Sequence, residues 1–385
     1  MNTIGADLHK KSITLCVMDE KLKVLARKTL PCDQADQVVE FFRQFRPFRV
    51  AVEATASYTW FVELVRPLAE EVVLANPGKL RVIAESIKKT DRLDAQVLAE
   101  FLARDQIPRA YMPTPRQRQH RALVRQRQYL RERMSSVRCK IRHVLADYNA
   151  DRKDLFSAKA GWGYIKGIEL GDADSFVIKQ LWTEWEEHQA RLLKLTGKIK
   201  AFVAKAPQRE AEARRIVKSA PGVGEVTAEV VLSEIGDVGR FGNAKAICAY
   251  AGLVPRVRQT GGKKSPDLPI TKQGSGLLRW ALVEAAWRLV GTSPRWSAFF
   301  ARLRKRKGSK RAIVAVARKL LCVLYAMLKT STPYKVVATE PSPPEPARPT
   351  RRRPVRKSTA EAAAPGGRRR PARASTAKQE QTATT

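Results

Sequence analysis

Four carboxylates stand where their type and spacing could carry chemistry. Asp7 closes an apolar run in GADLH, and Glu53 interrupts the hydrophobic run VAVEA. Asp91 and Asp94, in KKTDRLDAQVLAEFLAR, are spaced i, i+3, so a helix beginning there points both to one face. Hard oxygen donors with no histidine or cysteine among them suit Mg²⁺ or Mn²⁺ rather than zinc. Two such ions can activate and stabilise the oxygens of a phosphodiester exchange. Taken singly, the acids have plainer readings. Asp91, after Thr90, suits a helix N-terminus, and Asp94 can pair with Arg92 or Lys89 on the surface.

The elements that must position these acids follow from the pattern of the first hundred residues. Residues 2–8 and 12–18 alternate as two short strands around a Lys10-Lys11 turn, and residues 23–29 make a third. An amphipathic helix is expected around residues 35–45, then a strand at 49–53, a helix near 58–69 and a strand at 71–75. Three strands followed by alternating helix and strand describe an α/β layer with a mixed central sheet. Ligands bind such sheets at the carboxyl ends of the strands, which is where Asp7 and Glu53 fall. As a set, the four acids resemble the metal-binding group of RuvC-like nucleases of the RNase H fold.

Charge says what the acids act on. The 385 residues carry 73 Lys+Arg against 37 Asp+Glu, a net +36, which asks for a polyanionic partner. From residue 339 onward there are 11 Lys/Arg against 4 Asp/Glu, in a Pro-, Ala-, Arg- and Thr-rich tail that is expected to be disordered. Most of the excess therefore lies in the folded part. Between Arg116 and Leu145 there are ten Lys/Arg and one acid, Glu132. Leu123, Leu130, Met134, Val137, Ile141, Val144 and Tyr148 form an apolar seam there, and Leu181, Trp185, His188, Leu192, Leu195, Ile199 and Phe202 form a second. Two long helices are expected to pair as an antiparallel hairpin or an oligomerisation coil. Arg116, Arg118, Arg121, Arg125 and Arg127 are the candidate phosphate contacts.

Several classes fall away. No apolar run approaches the roughly 20 residues of a membrane span. Asp7, His9 and Lys10 break any signal-peptide order at the N-terminus. The five cysteines are scattered without a C-x-x-C, which argues against a disulfide scaffold or zinc ribbon.

In the C-terminal half, IVKSAPGVGEVTAEVVLSEIG reads as helix, Pro-Gly-Val-Gly hairpin, helix. Gly222 and Gly224 leave backbone N–H groups at a helix N-terminus where a phosphate can sit. No strand precedes them, so a helix–hairpin–helix on a nucleic-acid backbone is preferred to a dinucleotide turn. AYAGLVP, RQTGGKKS and ITKQGSGLLRWALVEAA follow. These blocks, with GADLHK, VAVEA and KTDRLDA at the front, resemble the DEDD insertion-sequence transposases of the IS-one-ten family over roughly residues 1–330.

The resemblance implies a RuvC-like α/β domain over residues 1–110, an α-helical coiled-coil and linker region over 111–210, and a mainly α-helical transposase domain over 211–330 with a helix-hairpin-helix-like element. The basic tail fills 331–385. It implies a bacterial, cytoplasmic recombinase, nucleoid-associated when bound, that excises and inserts its element with Mg²⁺ or Mn²⁺. It further implies a homo-oligomer, dimer or tetramer, acting on DNA under the guidance of a bridge RNA, with no membrane partner. Carried over by position, Asp7, Glu53, Asp91 and Asp94 match the family's metal-binding acids. The family's serine nucleophile is replaced here by Thr260, which keeps the hydroxyl, with Ser265 the alternative. Gly261 and Gly262 allow close approach of a phosphate, and Lys263, Lys272 and Arg279 are candidate charges for it. A RuvC-like junction-resolving endonuclease using water, and an inactive RNA- and DNA-binding relative, are the competing readings.

Overall fold

Period-two alternation at the N-terminus builds a five-stranded sheet in the order β3-β2-β1-β4-β5. Its strands are β1 (Asn2–Leu8), β2 (Ser12–Met18), β3 (Val24–Pro31), β4 (Phe48–Glu53) and β5 (Glu71–Ala75). β1, β2 and β3 pair antiparallel, whereas β1, β4 and β5 run parallel. The sheet is therefore mixed, as expected, and β1 lies at its centre with six of its seven residues buried. In a computed structural model, the described residues are 1–54, 58–83, 91–157, 161–257, 259–260, 263–264 and 268–335. Gly261, Gly262, Ser265 and the tail from residue 336 lie outside them, as do the side chains of Asp91, Thr260 and Lys263.

Helices cover both faces of the sheet. On one, α1 (Ala35–Arg43) and α2 (Tyr58–Val65) bring Val38, Phe41, Phe42 and Phe61 onto Ile4, Ala6, Val50 and Val52. Burying a side chain such as Phe42 contributes about 2–3 kcal/mol. On the other face, after a short α3 (Pro77–Ile83), lies α4 (Asp91–Ala103). Its Leu98 and Leu102 pack with Ala51 and Val73, and its Ala95 and Ala99 with Cys16 and Met18.

Two 33-residue helices follow, α5 (Pro115–Asp147) and, after α6 (Gly161–Lys166), α7 (Asp172–Ala204). Thr114 caps α5 by accepting the Gln117 N–H at 3.2 Å. The helices run antiparallel within one chain. Arg116 donates to the Phe202 carbonyl at one end, and Tyr148 Oη donates to Asp174 Oδ2 at 2.7 Å at the other. The seam is turned slightly from the expected one. Val124 and Leu145 are fully buried where Leu123 and Val144 are half-buried, and Trp182 is buried more deeply than Trp185. The cause is the α5–α7 connection, whose Phe156 and Trp162 stack on Trp182 at 5.6 and 5.5 Å and draw that face inward.

The C-terminal module comprises α8 (Gln208–Lys218), α9 (Glu225–Ile235), α10 (Ala244–Tyr250), β6 (Gln259–Thr260), β7 (Lys263–Lys264), α11 (Gly276–Thr292), α12 (Pro294–Lys307) and α13 (Ser309–Lys329). Ala281, Leu282 and Ala285 of α11, Val316, Leu320 and Leu324 of α13, and Val230 and Val231 of α9 share one core. All five cysteines are free thiols. Among the described residues no helix is long and apolar enough to cross a membrane.

Candidate catalytic site

The strand register brings two of the acids together. β1 and β4 are parallel neighbours with Gly5 opposite Ala51 and Ala6 opposite Val52, so Asp7 and Glu53 stand side by side at their carboxyl ends. Residues two apart on a strand share a face. Ala51 packs against α4, so Glu53 follows it onto the α4 side. Asp7 follows Gly5, and Gly5 faces α4 very closely. A Cβ at Gly5 would lie 1.9 Å from the Ala95 carbonyl oxygen and 2.6 Å from the Ala99 nitrogen. Only glycine lets the helix backbone rest directly on the strand.

The direction of α4 then places the other pair. Just past its C-terminus, Asp105 accepts from Arg49 Nη2 at 2.6 Å, at the amino end of β4. The helix thus runs opposite to β1, and its first turn, with Asp91 and Asp94, lies at the edge where Asp7 and Glu53 emerge. Asp7 is 8 % exposed, and Glu53 and Asp94 are half-buried. One neighbour is not an oxygen donor. His9 Nε2 lies 3.1 Å from Asp7 Oδ2, which corrects the expectation of a site without histidine. His9 follows β1 directly, two residues beyond Asp7.

This donor set fits a hard divalent ion: carboxylates from two strands and one helix, on one face, at a ligand-binding edge. Among the described residues, no three His, Cys, Asp or Glu side chains are gathered closely enough to hold an ion as they stand. Mutual repulsion of carboxylates opposes a closer approach.

The hydroxyl-bearing segment belongs to the other module. Thr260 pairs with Lys263, and Gln259 with Lys264, across the antiparallel two-residue strands β6 and β7. A bridge between Pro255 and Ile270 closes the base of this hairpin, beside the N-terminus of α11. Lys272 is exposed nearby with φ 56°.

The structure places the α5 arginines differently from the expectation that they face phosphate. Arg116 is bound to Glu210 and lies 4.1 Å over the Phe202 ring. Arg118 pairs with Glu63 of α2. Arg121 donates to the Ser233 and Glu234 carbonyls at 2.8 and 2.9 Å, and Arg125 makes a two-pronged bond to the Glu234 carboxylate at 2.8 and 3.0 Å. That bond raises the pKa of Arg125. Arg127 is half-buried, and its burial, with Arg131 close by, pulls its pKa down. Four of the five therefore hold the C-terminal end of α9, the sheet module and α8 to one another. Sequence spacing counts cations, whereas acids as distant as Glu210, Glu229 and Glu234 decide what neutralises them.

Two further candidates also have structural duties. Gly222 has φ 77°, and a Cβ there would come within 2.7 Å of the Ala285 carbonyl, so it permits contact with α11. Arg279 Nη1 donates to the carbonyls of Ala251, Gln273 and Gly274 and ties the hairpin's base to α11. Gly224 remains at the N-terminus of α9, as expected.

A buried ionic network was invisible to sequence reading. His120 Nε2 lies 2.8 Å from Glu229 Oε2, and Arg214 binds both Glu229 oxygens at 2.6 and 3.1 Å while also reaching Glu210 at 3.0 Å. Burial works against ionisation of Glu229, yet His120 and Arg214 hold its carboxyl below the ordinary value. Burial likewise opposes Glu210, which Arg116 and Arg214 keep low. A cavity of about 630 Å³ opens beside this network, lined in part by Tyr111, Arg116, His120, Asp237 and Lys329.

Comparison with known proteins agrees with the motif order. Residues 4–150 match a DEDD family of the IS110 type described as "Transposase". Residues 214–301 match a second, described as "Transposase IS116/IS110/IS902 family". The chain is 26% identical over 344 residues to a "Probable family 20 transposase" of Pseudomonas aeruginosa, covering 87% of this chain and 99% of the relative. It is 27% identical to the "Transposase for insertion sequence element IS1111A" of Coxiella burnetii, over 86% of this chain and 91% of the other. A "Pilin gene-inverting protein" of Moraxella bovis is 26% identical over 269 residues, which are 69% of this chain and 74% of that one.

Proposed function

Because the chain belongs to the IS110 family of transposases, we propose that it cuts and rejoins DNA at a composite site made of its sheet acids and its β6–β7 hydroxyl. The observation that carries this reading is the shared edge of Asp7, Glu53 and the start of α4, closed by Gly5. The mixed sheet order, with acids ending its two central parallel strands, supports an RNase H/RuvC-like nuclease domain.

In this reading Asp7, Glu53, Asp91 and Asp94 hold Mg²⁺ or Mn²⁺. A bound ion there supplies Lewis-acid stabilisation of charge on the phosphate and on the departing oxygen. Thr260 is the nucleophile, with Ser265 the alternative. Its hydroxyl oxygen forms a bond to phosphorus as the P–O bond of the strand breaks, and the hydroxyl proton leaves to the departing oxygen. The retained ester conserves the bond energy that rejoining needs. Lys263, across the strand pair, and exposed Lys272 supply positive charge near the hairpin. The Moraxella relative is named for inverting a gene, and insertion-sequence relatives for transposition. Both outcomes need the same cutting and exchange of strands.

The finer features of the reading are a guiding RNA encoded with the element and an oligomer, dimer or tetramer, that assembles the composite site. The strong cationic excess supports an RNA partner alongside DNA. The test is strand cleavage of element-end DNA by the full chain, with and without the element's non-coding RNA. Glu53→Ala and Asp94→Ala should abolish cleavage and leave DNA binding in place. A covalent adduct should map to Thr260. Undiminished cleavage by Glu53→Ala refutes the acid assignment, and cleavage without an adduct at Thr260 or Ser265 favours water as nucleophile.

A further inference from the structure

The corner between α12 and α13 concentrates exposed positive charge. From Arg302 to Arg311 there are seven Lys/Arg and no acid. All of these residues except Leu303 are exposed. Trp296 and Phe300 anchor α12 in the core, and Ala312, Ile313 and Val316 anchor α13, so the corner is held firmly from both sides. Gly308, with φ 76°, makes the turn.

Comparison with α5 shows what is unusual. The α5 arginines meet Glu63, Glu210, Glu234 and Asp151. Among the described residues, no carboxylate forms an ion pair with Arg302, Arg304, Lys305, Arg306, Lys307 or Lys310. Part of the charge has a local explanation, because Arg304–Lys307 end a helix, where cations are favoured. Lys310 has none, since it opens α13, whose first turn lacks an acid. The local fold therefore tolerates repulsion that a polyanion would remove.

We propose that the α12–α13 corner is a docking surface for the phosphate backbone of duplex DNA. The residue types select this partner. The run Arg302–Arg311 has no aromatic side chain on which single-stranded bases could stack. It has no Asn or Gln to read base edges, so its contacts position without specifying. Its one uncharged hydrogen-bonding side chain is Ser309, too little for the 2′-hydroxyl contacts by which duplex RNA is held. Exposed cations on a corner anchored from both sides suit phosphates beside a groove. The proposal rests on the recombinase reading for its supply of DNA, and its test is a binding measurement that needs no cleavage.

The full chain is titrated against a labelled DNA duplex of about 30 base pairs at several salt concentrations. The triple variant Arg304→Gln/Lys305→Gln/Arg306→Gln is compared with the charge-conserving Arg304→Lys/Arg306→Lys. If all three side chains touch phosphate, the slope of log K against log salt becomes shallower by about 2.7 in the Gln variant, at about 0.9 per contact. The Lys variant should keep the parent slope. An unchanged slope in a Gln variant with the parent's melting temperature overturns the proposal. So does a loss confined to duplex RNA of the same length, which would assign the corner to RNA. Failure of the recombinase reading shows separately, as absence of cleavage by the parent chain with its DNA slope intact.

Discussion

Gly5→Ala tests the site through its geometry, without touching an acid. The added Cβ would lie 1.9 Å from the Ala95 carbonyl oxygen, and real Cβ contacts essentially never fall under 3.0 Å, so backbone must retreat by about 1.1 Å. Neither neighbour yields cheaply: β1 is hydrogen-bonded on both sides, and Ala95 and Ala99 are 0 % exposed. The retreat therefore falls largely on α4, whose first turn carries Asp91 and Asp94. A displacement near 1 Å in a reacting constellation costs about 10²-fold in rate. Overpacking should also lower stability by about 1–3 kcal/mol. The assay pairs strand cleavage with thermal melting and DNA binding. Cleavage should fall about 10²-fold while most DNA affinity remains, because the acids are not the grip. Gly163→Ala is the control, since nothing lies within 4 Å of a Cβ there. Cleavage by folded Gly5→Ala within twofold of the parent would refute the claim that α4 seats its acids by resting on β1.

Four shorter predictions follow from the same structure. Removing divalent metal with a chelator should stop cleavage, and Mg²⁺ or Mn²⁺ should restore it more fully than Ca²⁺, whose longer bonds change the geometry. Glu229→Gln should cost about 3–5 kcal/mol in chemical denaturation, because it leaves Arg214 charged at 8 % exposure without its main partner. The depressed carboxyls of Glu229 and Glu210 make stability depend on pH. Their contribution is complete above the unfolded value of about 4.3 and is lost as pH falls through their folded values, so acid unfolding of Glu229→Gln should show a shallower pH dependence than the parent. Gly222→Ala should destabilise by about 1–3 kcal/mol, because it combines positive φ with a 2.7 Å approach to the Ala285 carbonyl, and melting curves would reveal it.

Much of the sheet was legible because alternation is local. The strands at 2–8, 12–18 and 71–75 coincide with β1, β2 and β5, and VAVEA ends β4. Asp7 and Glu53 could be placed because an acid closing an apolar strand is conspicuous in any context. The close seating of α4 was not legible, since nothing local to Gly5 in its strand reports that a helix backbone rests on it. The internal partners of the α5 arginines were not legible for a related reason. Their partners Glu210 and Glu234 are about 90 to 110 residues away, and no periodicity reports on contacts of that range. His120 looked like one more polar residue of a basic helix, yet it is 4 % exposed and bound to Glu229.

The first three turns of α5 also bear on how such a chain can be inherited. Arg118 reaches α2, Gln117 and Arg121 cap carbonyls of α9, and Arg116 and His120 enter the network of α8. A cut at residue 210 would leave α9 with uncapped carbonyls and would part Glu234 from Arg125 and Glu229 from His120, whereas a cut at 110 would part Arg118 from Glu63. Separate fragments should therefore be poorly soluble when expressed alone. Exchange of front and back halves between diverged relatives should survive only when α5, α8 and α9 travel together. The smallest transferable unit in this lineage is then a joint and not a domain, and chimaeras that respect it should fold where those cut at the apparent boundaries fail.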